Sequence, residues 1–198
     1  MIAWELPTSI SVNGEEYKIR TDFRTVLELL TALNDTELYE GCISDKERDY
    51  ITCTLMLEIM IPDFERLPSD GWEEALEQIS EFIDCGIVND GKAKPRMMDW
   101  EQDAPIILPA VNKVAGKDIR AAEYLHWWTF MGYYMEIGEC LYSQVLSIRQ
   151  KKKKGKLEKY EKKWYDDNKA LVDLKSKETH ISTEEKNEIR KLLGMEKR

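Results

Sequence analysis

The chain has 198 residues, of which 42% are hydrophobic and 34% are charged, so it is long enough to bury one core and carry an appendage. Its net charge is −9, and residues 1–100 hold 9 basic and 22 acidic side chains, against 20 and 16 in residues 101–198. This excess of acid argues against a general nucleic-acid-binding protein, because neutralisation of phosphates supplies most of such affinity.

The cysteines and the hydropathy favour a soluble protein of a reducing compartment. The four cysteines form neither a CxxC pair nor a regular framework, and we interpret them as small buried thiols: Cys42, Cys53, Cys85 and Cys140. The first residues, MIAWELPTS, lack the basic region and apolar run of a signal peptide. No window approaches the roughly 18 uncharged apolar residues that a membrane span requires. We therefore expect the protein to stay in the cytoplasm where it is made.

The stretch TSISVNGEEYKIR predicts a β-hairpin near the start of the chain. Asn13-Gly14 is a dipeptide that tolerates positive φ at both central positions of a two-residue turn. Pairing about this turn separates an apolar face from a polar face: Ile10, Val12, Tyr17 and Ile19 lie on the first, and Ser9, Ser11, Glu16 and Lys18 on the second. Because an isolated hairpin is marginally stable, we expect the apolar face to pack on another element.

After the hairpin the hydrophobic period becomes helical. Asp22 can cap a first helix, whose apolar residues recur at spacings of three and four: Phe23, Val26, Leu27, Leu30 and Leu33. Ser44 and Glu47 form a capping box for a second helix, and Pro62 ends it. These signals predict two helices within the first 62 residues.

Two further helices are predicted before the aromatic segment. The first is capped near Ser69 or Asp70 and closes at Gly86. The second lies in MDWEQDAPIILPAVNKVAG, and it contains Pro105 and Pro109. Because a proline inside a helix removes a hydrogen bond and crowds the preceding turn, we expect a kink or a broken first half.

The segment YLHWWTF, Tyr124 to Phe130, holds four aromatic rings and one of the two histidines. We predict a helix over roughly 121–137 with rings on two sides: Trp127, Phe130 and Tyr134 on one, and Tyr124, Trp128, Met131 and Met135 on the other. Such a helix is buried nearly all round, which is typical of a core. A base-stacking platform would want exposed rings among Lys and Arg, and this segment has none between Arg120 and Arg149.

The character of the sequence changes near Gln150. We predict a helical body with the hairpin over residues 1–150 and a charged helical extension over residues 151–198. The run from Arg149 to Lys163 holds nine basic residues and two glutamates, and an apolar stripe runs along it: Leu157, Tyr160, Trp164 and Leu171. This long charged helix either packs one edge on the body or grips a partner, with RNA or membrane contact as a weaker third reading. Ser182 and Glu185 predict a short final helix.

The sequence carries no recognisable catalytic chemistry. A phosphate loop, a GxSxG elbow and a calcium loop are absent, and neither His126 nor His180 belongs to an HxxxH or HExxH motif. Asp99 and Asp103 have the spacing of paired carboxylates, but we interpret them as helix-start residues that favour the N-terminal dipole. We interpret His126 as a structural side chain. We therefore expect a protein that is not an enzyme and binds no cofactor or metal.

Three stretches together resemble a known family: LPTSISVNGEEYKIRTDFR at the start, DWEQDAP followed by YLHWWTFMGYY in the middle, and SIRQKKKKGKLEKYEKKWY near the end. In that order they resemble small proteins from the tail-morphogenesis region of long-tailed phages and prophages of Gram-positive bacteria, over roughly Leu6 to Trp164. That family is regarded as tail-assembly chaperones acting with the tape-measure protein. It offers no established site residues, so none is transferred.

The resemblance implies a non-enzymatic chaperone that binds the tape-measure protein and keeps it soluble before the tail tube polymerises. The tail tube protein is a second candidate partner, a homo-oligomer stays open, and the expected location is the host cytoplasm. The candidate contacts are Leu157, Tyr160 and Trp164, with apolar groove residues between helices. The alternative is a small nucleic-acid-binding regulator that uses the basic 149–164 helix. An enzyme with a pocket around His126 ranks third.

Overall fold

The computed structural model describes residues 4–39, 42, 44–87 and 95–175, and these are mainly helical with one antiparallel hairpin at the start. The predicted fold class is confirmed. The elements are β1 (Ser9–Val12), β2 (Glu15–Lys18), α1 (Phe23–Leu33), α2 (Asp45–Met60), α3 (Trp72–Ile83), α4 (Ala104–Ala115), α5 (Trp127–Met135), α6 (Leu141–Lys153), α7 (Lys159–Asp167) and α8 (Lys169–Val172). The helix predicted after Ser182, and His180, lie outside the described residues.

The described residues form two compact units. The hairpin unit contains Pro7–Arg20 and Arg24–Phe82, and the aromatic unit contains residues 4–6, Thr21–Phe23 and Ile83–Lys175. The described part of the predicted extension, residues 151–175, belongs to the aromatic unit. The boundary near Gln150 stays a prediction.

The hairpin has the predicted turn and the predicted faces. Asn13 and Gly14 both have positive φ, 53° and 80°, which is the backbone that a two-residue hairpin turn requires. The strands pair with Ile10 opposite Tyr17, and all four side chains of the apolar face are buried: Ile10, Val12, Tyr17 and Ile19. The alternation of the sequence therefore fixes which face of the hairpin enters the core.

Helix α3 contacts the hairpin through both a close approach and hydrogen bonds. Gly71 precedes α3, and a Cβ at this position would overlap Cγ1 of Val12. The Gln78 amide accepts the Ser11 N–H at 3.0 Å and donates to the Ser11 carbonyl, and the Asn13 N–H donates to the Glu74 carboxylate at 2.8 Å. Side chains of α3 thus occupy hydrogen-bonding groups that a further strand would otherwise take.

Helix α2 begins and ends where the sequence predicts. Ser44 and Glu47 form the capping box, and the helix ends just before Pro62. The Arg20 guanidinium donates to the carbonyls of Glu58 and Ile59, at 2.8 and 2.6 Å. This cation satisfies carbonyls that a helix leaves unpaired at its C-terminus, where the dipole favours positive charge.

The proline-containing helix is shorter than the sequence predicted. Residues 98–103 of the predicted stretch lie outside the helix, and α4 begins at Ala104 with Pro105 in its first turn. A proline fits there because the first N–H groups of a helix have no intrahelical acceptor. Pro109 lies inside α4, which continues through it to Ala115 and closes at Gly116 with φ of 69°.

The charged region predicted as one long helix is divided. After α6 the chain turns at Gly155, which has φ of 65°. The Gly155 N–H donates to the Lys152 carbonyl and the Lys156 N–H to the Lys151 carbonyl, which is a Schellman ending. Residues 156–158 then lead into α7. The glycine in KKKKG therefore ends α6, and α7 and α8 are separate helices.

Candidate partner-binding surface

The rings of the aromatic segment form a core. Trp127 is 1% exposed and Phe130 is buried, and the Trp127 Nε1–H donates to the Ile83 carbonyl at 2.9 Å. Phe130 stacks on Phe23 with centroids 4.9 Å apart, and Trp100 contacts Trp127, Phe130 and Tyr134. These rings are occupied by one another and by the backbone, which supports the prediction of a core.

The helix through this segment begins later than predicted, at Trp127, and is not buried all round. Tyr124 precedes it, is exposed and bonds its hydroxyl to that of Thr21 at 2.6 Å. Met135 is also exposed, whereas Trp128 is half-buried. The side with Trp127 is buried and the opposite side is only partly covered.

His126 is the N-cap of α5. Its side chain is buried, and Nδ1 accepts the Trp128 N–H at 3.0 Å, which satisfies a donor that the first turn leaves unpaired. The backbone of His126 also forms a bridge with Asp22. This cap supports the structural interpretation of His126.

A buried ion pair joins α4 and α6, and the sequence analysis missed it. Asp103 is fully buried and Arg149 is 5% exposed in its side chain, and the two form a bidentate pair at 2.6 and 2.8 Å. The remaining guanidinium N–H groups donate to backbone carbonyls: Met97, Leu171 and Val172. All five donors of the guanidinium are therefore engaged, so this pair is structural rather than a binding site.

Asp103 lies at a helix start, as predicted, whereas Asp99 lies before the turn that leads into α4. Asp103 occupies the N-cap position of α4, and its carboxylate accepts the Asp99 N–H at 3.0 Å. Asp99 in turn accepts the N–H groups of Glu101 and Gln102. Both carboxylates are buried and hydrogen-bonded.

The predicted contact residues lie at and before α7 and differ in exposure. Tyr160 is 67% exposed, whereas Leu157 and Trp164 are half-buried. Leu157 precedes the helix, so only Tyr160 and Trp164 share the i, i+4 spacing of one helix face. Tyr160 is flanked by exposed Lys159 and lies one turn from exposed Lys163. It is the most accessible of the three for a partner.

Helix α7 is held to the end of α6 by one ion pair and one hydrogen bond to a tyrosine. Lys151 pairs with Glu161, and this contact lowers the pKa of the Glu161 carboxyl below its ordinary value. The Lys152 ammonium donates to the Tyr165 hydroxyl and to Asp173, both at 2.6 Å, and these bonds raise the lysine pKa. Part of the basic run is therefore neutralised within the chain, which leaves fewer free cations for a nucleic acid.

A groove between α2 and α3 is the second exposed aromatic surface. Its volume is about 710 Å³, and it is lined by Asp49, Tyr50, Cys53, Trp72, Glu73, Leu76, Glu77 and Ser80. The rings of Tyr50 and Trp72 stack with centroids 6.2 Å apart, and Tyr50 is 52% exposed. Burial beside the groove raises the pKa of the Cys53 thiol, with Asp49 as the second cause. The sequence predicts an apolar groove between helices but does not indicate which helices form it.

The described residues show neither a group of metal-binding side chains nor a helix that could span a membrane. Within the described ranges, no three His, Cys, Asp or Glu side chains are grouped so as to hold a metal ion. No helix in the same ranges combines the length and apolar character that a bilayer crossing requires. The four cysteines are free and half-buried, so the prediction of buried thiols was too strong.

Comparison with known proteins finds one family. A family model described as Bacteriophage Gp15 protein matches residues 2–174. A search of curated proteins and a search of solved structures each return no match.

Proposed function

The chain belongs to the Bacteriophage Gp15 protein family, and we propose that it is a non-enzymatic tail-assembly chaperone that binds the tape-measure protein. In this proposal it acts in the host cytoplasm and keeps the tape measure soluble before the tail tube polymerises. The tail tube protein is a second candidate partner. The family supports a phage role, and the resemblance of the three sequence stretches supports the chaperone role.

The exposed aromatic side chains beside charged residues are the observation that carries the proposal. A long helical client with apolar stretches aggregates if its apolar surface stays uncovered. Tyr160 on α7 and Tyr50 in the groove are large, exposed and surrounded by charge, which suits contact with an amphipathic helix. Several weak contacts along one client would act together through raised effective concentration.

Co-expression of the tape-measure protein with and without this chain tests the proposal. We expect more soluble tape measure when both are present, and a complex that survives gel filtration. Equal solubility in both cases, with no complex, would exclude the chaperone role.

The variant Tyr160→Ala with Trp164→Ala tests the contact on α7. We expect it to weaken the complex while the melting temperature stays near that of the parent. Met135→Ala with Leu141→Ala is the matched control, because these side chains are also apolar and exposed in the aromatic unit. If both double variants bind like the parent, α7 is not the contact.

The nucleic-acid-binding alternative makes a different prediction for the same helix. It requires affinity for DNA or RNA that falls steeply with salt, because released counterions drive such binding. Steep salt dependence that disappears on Lys159→Ala with Lys163→Ala would favour that alternative over the chaperone.

A further inference from the structure

The groove between α2 and α3 combines an aromatic floor with an acidic rim. Tyr50 and Trp72 stack, and Phe64 lies behind Trp72 with ring centroids 5.5 Å apart. Three carboxylates border these rings: Asp49, Glu73 and Glu77. Among the described residues that line the groove, none is a lysine or an arginine. The groove therefore offers apolar contact and negative charge at one place.

The charge of the surrounding unit extends this pattern. The sequence of the hairpin unit, Pro7–Arg20 and Arg24–Phe82, contains 6 basic and 17 acidic residues, a balance of −11. Such a surface repels phosphates and acidic peptides and attracts cations over about one Debye length. An anionic ligand is therefore disfavoured at the groove before any contact forms.

The shape of the groove favours an elongated partner. The lining residues of α3 recur at 72, 73, 76, 77 and 80, so they follow one face of the helix for more than two turns. A volume of about 710 Å³ is in the range of small-molecule pockets, but this groove is open along its length rather than closed around a ligand. A helix laid beside α2 and α3 would place anchors at spacings of three and four over the rings.

We propose that this groove binds an amphipathic helix whose apolar side chains contact Tyr50, Trp72 and Leu76 and whose lysines or arginines pair with the carboxylates of the rim. Cations beside the rings would also gain cation–π contact. The inference rests on the proposed function in one respect: the tape-measure protein is the protein that supplies this helix. It adds to that function by specifying the bound segment of the tape-measure protein, which should carry lysines or arginines as well as apolar side chains.

Designed peptides test the groove without the tape measure. The probe is a fluorescein-labelled helical peptide of about 18 residues, roughly 27 Å long, with leucine at spacings of three and four and lysine elsewhere. Two controls have the same length: one replaces each lysine by glutamate, and one scrambles the lysine peptide so that no apolar face forms. Fluorescence anisotropy with the full chain should show the lysine peptide binding at least about tenfold more tightly than either control. Equal binding of the lysine and glutamate peptides would overturn the proposal, as would equal binding of the scrambled peptide.

Variants of the chain then locate the binding. Glu73→Lys with Glu77→Lys reverses the rim, and Glu28→Lys with Glu65→Lys makes the same change of net charge at exposed positions outside the groove. We expect the first pair to weaken binding of the lysine peptide at least about tenfold and the second to weaken it far less. If both double variants lose the same affinity for the lysine peptide, the peptide is attracted by the net charge alone, and the proposal is overturned.

Tyr50→Ala tests the apolar half of the groove. It should weaken the lysine peptide with little change in melting temperature, because the ring is half exposed. A parent-like affinity for the peptide would overturn the apolar contact.

Self-association of the chain is a separate outcome. If the chain self-associates but does not bind the peptide, and if Glu73→Lys with Glu77→Lys abolishes the self-association, then the groove binds a second copy and the proposal is overturned. Peptide binding without tape-measure binding would keep the groove and reject the chaperone role.

Discussion

The molecule has two groups of stacked rings, and their surroundings differ. In the aromatic unit, Trp127 and Phe130 are buried, and the indole N–H of Trp127 is bonded to a backbone carbonyl. In the hairpin unit, Tyr50 and Trp72 stack at the surface, and carboxylates border them. The buried group is the one that is more conspicuous in the sequence.

The difference teaches that a cluster of aromatic letters does not by itself indicate a binding site. Rings close together along one helix, with few charged neighbours, favour mutual packing. Rings contributed by two helices, among acidic side chains, stay partly in water because the charges cannot be buried without partners. Charge beside a ring, rather than the number of rings, separates the two groups here.

The largest expected effect is on the buried side of this comparison. Trp127→Ala should lower the free energy of unfolding by about 3–5 kcal/mol, because it removes a fully buried ring and leaves a cavity. Trp128→Ala should cost clearly less, since Trp128 is only half-buried. Urea denaturation followed by circular dichroism measures both. Parent-like stability of Trp127→Ala would contradict the assignment of this ring to the core.

The buried ion pair should have an effect of similar size. Asp103→Ala should cost about 3–5 kcal/mol, because it leaves the Arg149 guanidinium buried without its carboxylate. Replacing both partners, Asp103→Leu with Arg149→Met, should cost less than Asp103→Ala, since no unpaired charge remains. The same denaturation experiment compares them. A double variant less stable than the single one would mean that the stability comes from the pair together with the bonds of Arg149 to backbone carbonyls, rather than from avoiding an unpaired charge.

A smaller loss is expected at the contact between α3 and the hairpin. Gly71→Ala should cost about 1–3 kcal/mol, because the new Cβ would overlap the buried side chain of Val12. Gly132→Ala in α5 is the matched control: its Cβ would meet nothing within 4 Å, and alanine favours helix. Thermal melting should show the first variant lowered and the second unchanged or raised. If Gly71→Ala leaves the melting temperature unchanged, the hairpin and α3 can move apart with little loss of free energy.

The exposed rings should contribute little to folding. Tyr50→Ala and Tyr160→Ala should each change the free energy of unfolding by within about 0.5 kcal/mol, as is usual for exposed positions. A loss comparable to that of Trp127→Ala, measured under the same conditions, would erase the distinction between buried and exposed rings.

The smallest effect is a pH dependence at the base of α7. Contact with Lys151 lowers the pKa of Glu161 in the folded chain, so the pair stabilises at pH above the unfolded value of about 4.3. That contribution is lost as the pH falls through the folded pKa. Glu161→Gln should therefore be less stable than the parent at pH 7 and approach it at about pH 3. If the urea midpoints of Glu161→Gln and the parent differ by the same amount at both pH values, the ion pair does not contribute to the pH dependence of stability.

The features that were predicted correctly from the sequence depend on residues close together in the chain. The Asn13-Gly14 turn and the Ser44 and Glu47 capping box depend on residues at most three apart, and both are present in the structure. The start of α4 was misplaced because the helical pattern continued upstream, while Pro105 fits best in a first turn. The ending of α6 at Gly155 also has a local cause, but the helical pattern of charges continues across this glycine and predicts one long helix.

The features that escaped prediction depend on contacts between distant parts of the chain. Asp103 and Arg149 are 46 residues apart, and neither neighbourhood indicates that the other residue is its partner. The groove requires α2 to lie beside α3, and the spacing along either helix gives only one wall. The exposure of Tyr160 follows from how α7 packs, which an apolar stripe in the sequence does not specify.

Helix α3 has consequences for how freely this chain can vary. One face lines the groove, a second bonds the hairpin and a third is buried; the residues are Trp72, Glu73, Leu76, Glu77 and Ser80 on the first, Glu74 and Gln78 on the second, and Ala75, Ile79 and Phe82 on the third. Within α3 this leaves Glu81 and Ile83 as the positions for neutral drift. In the proposed role, recognition and folding share one short helix, so a change in the groove that suits a new client must leave the rotation of α3 about its axis unchanged.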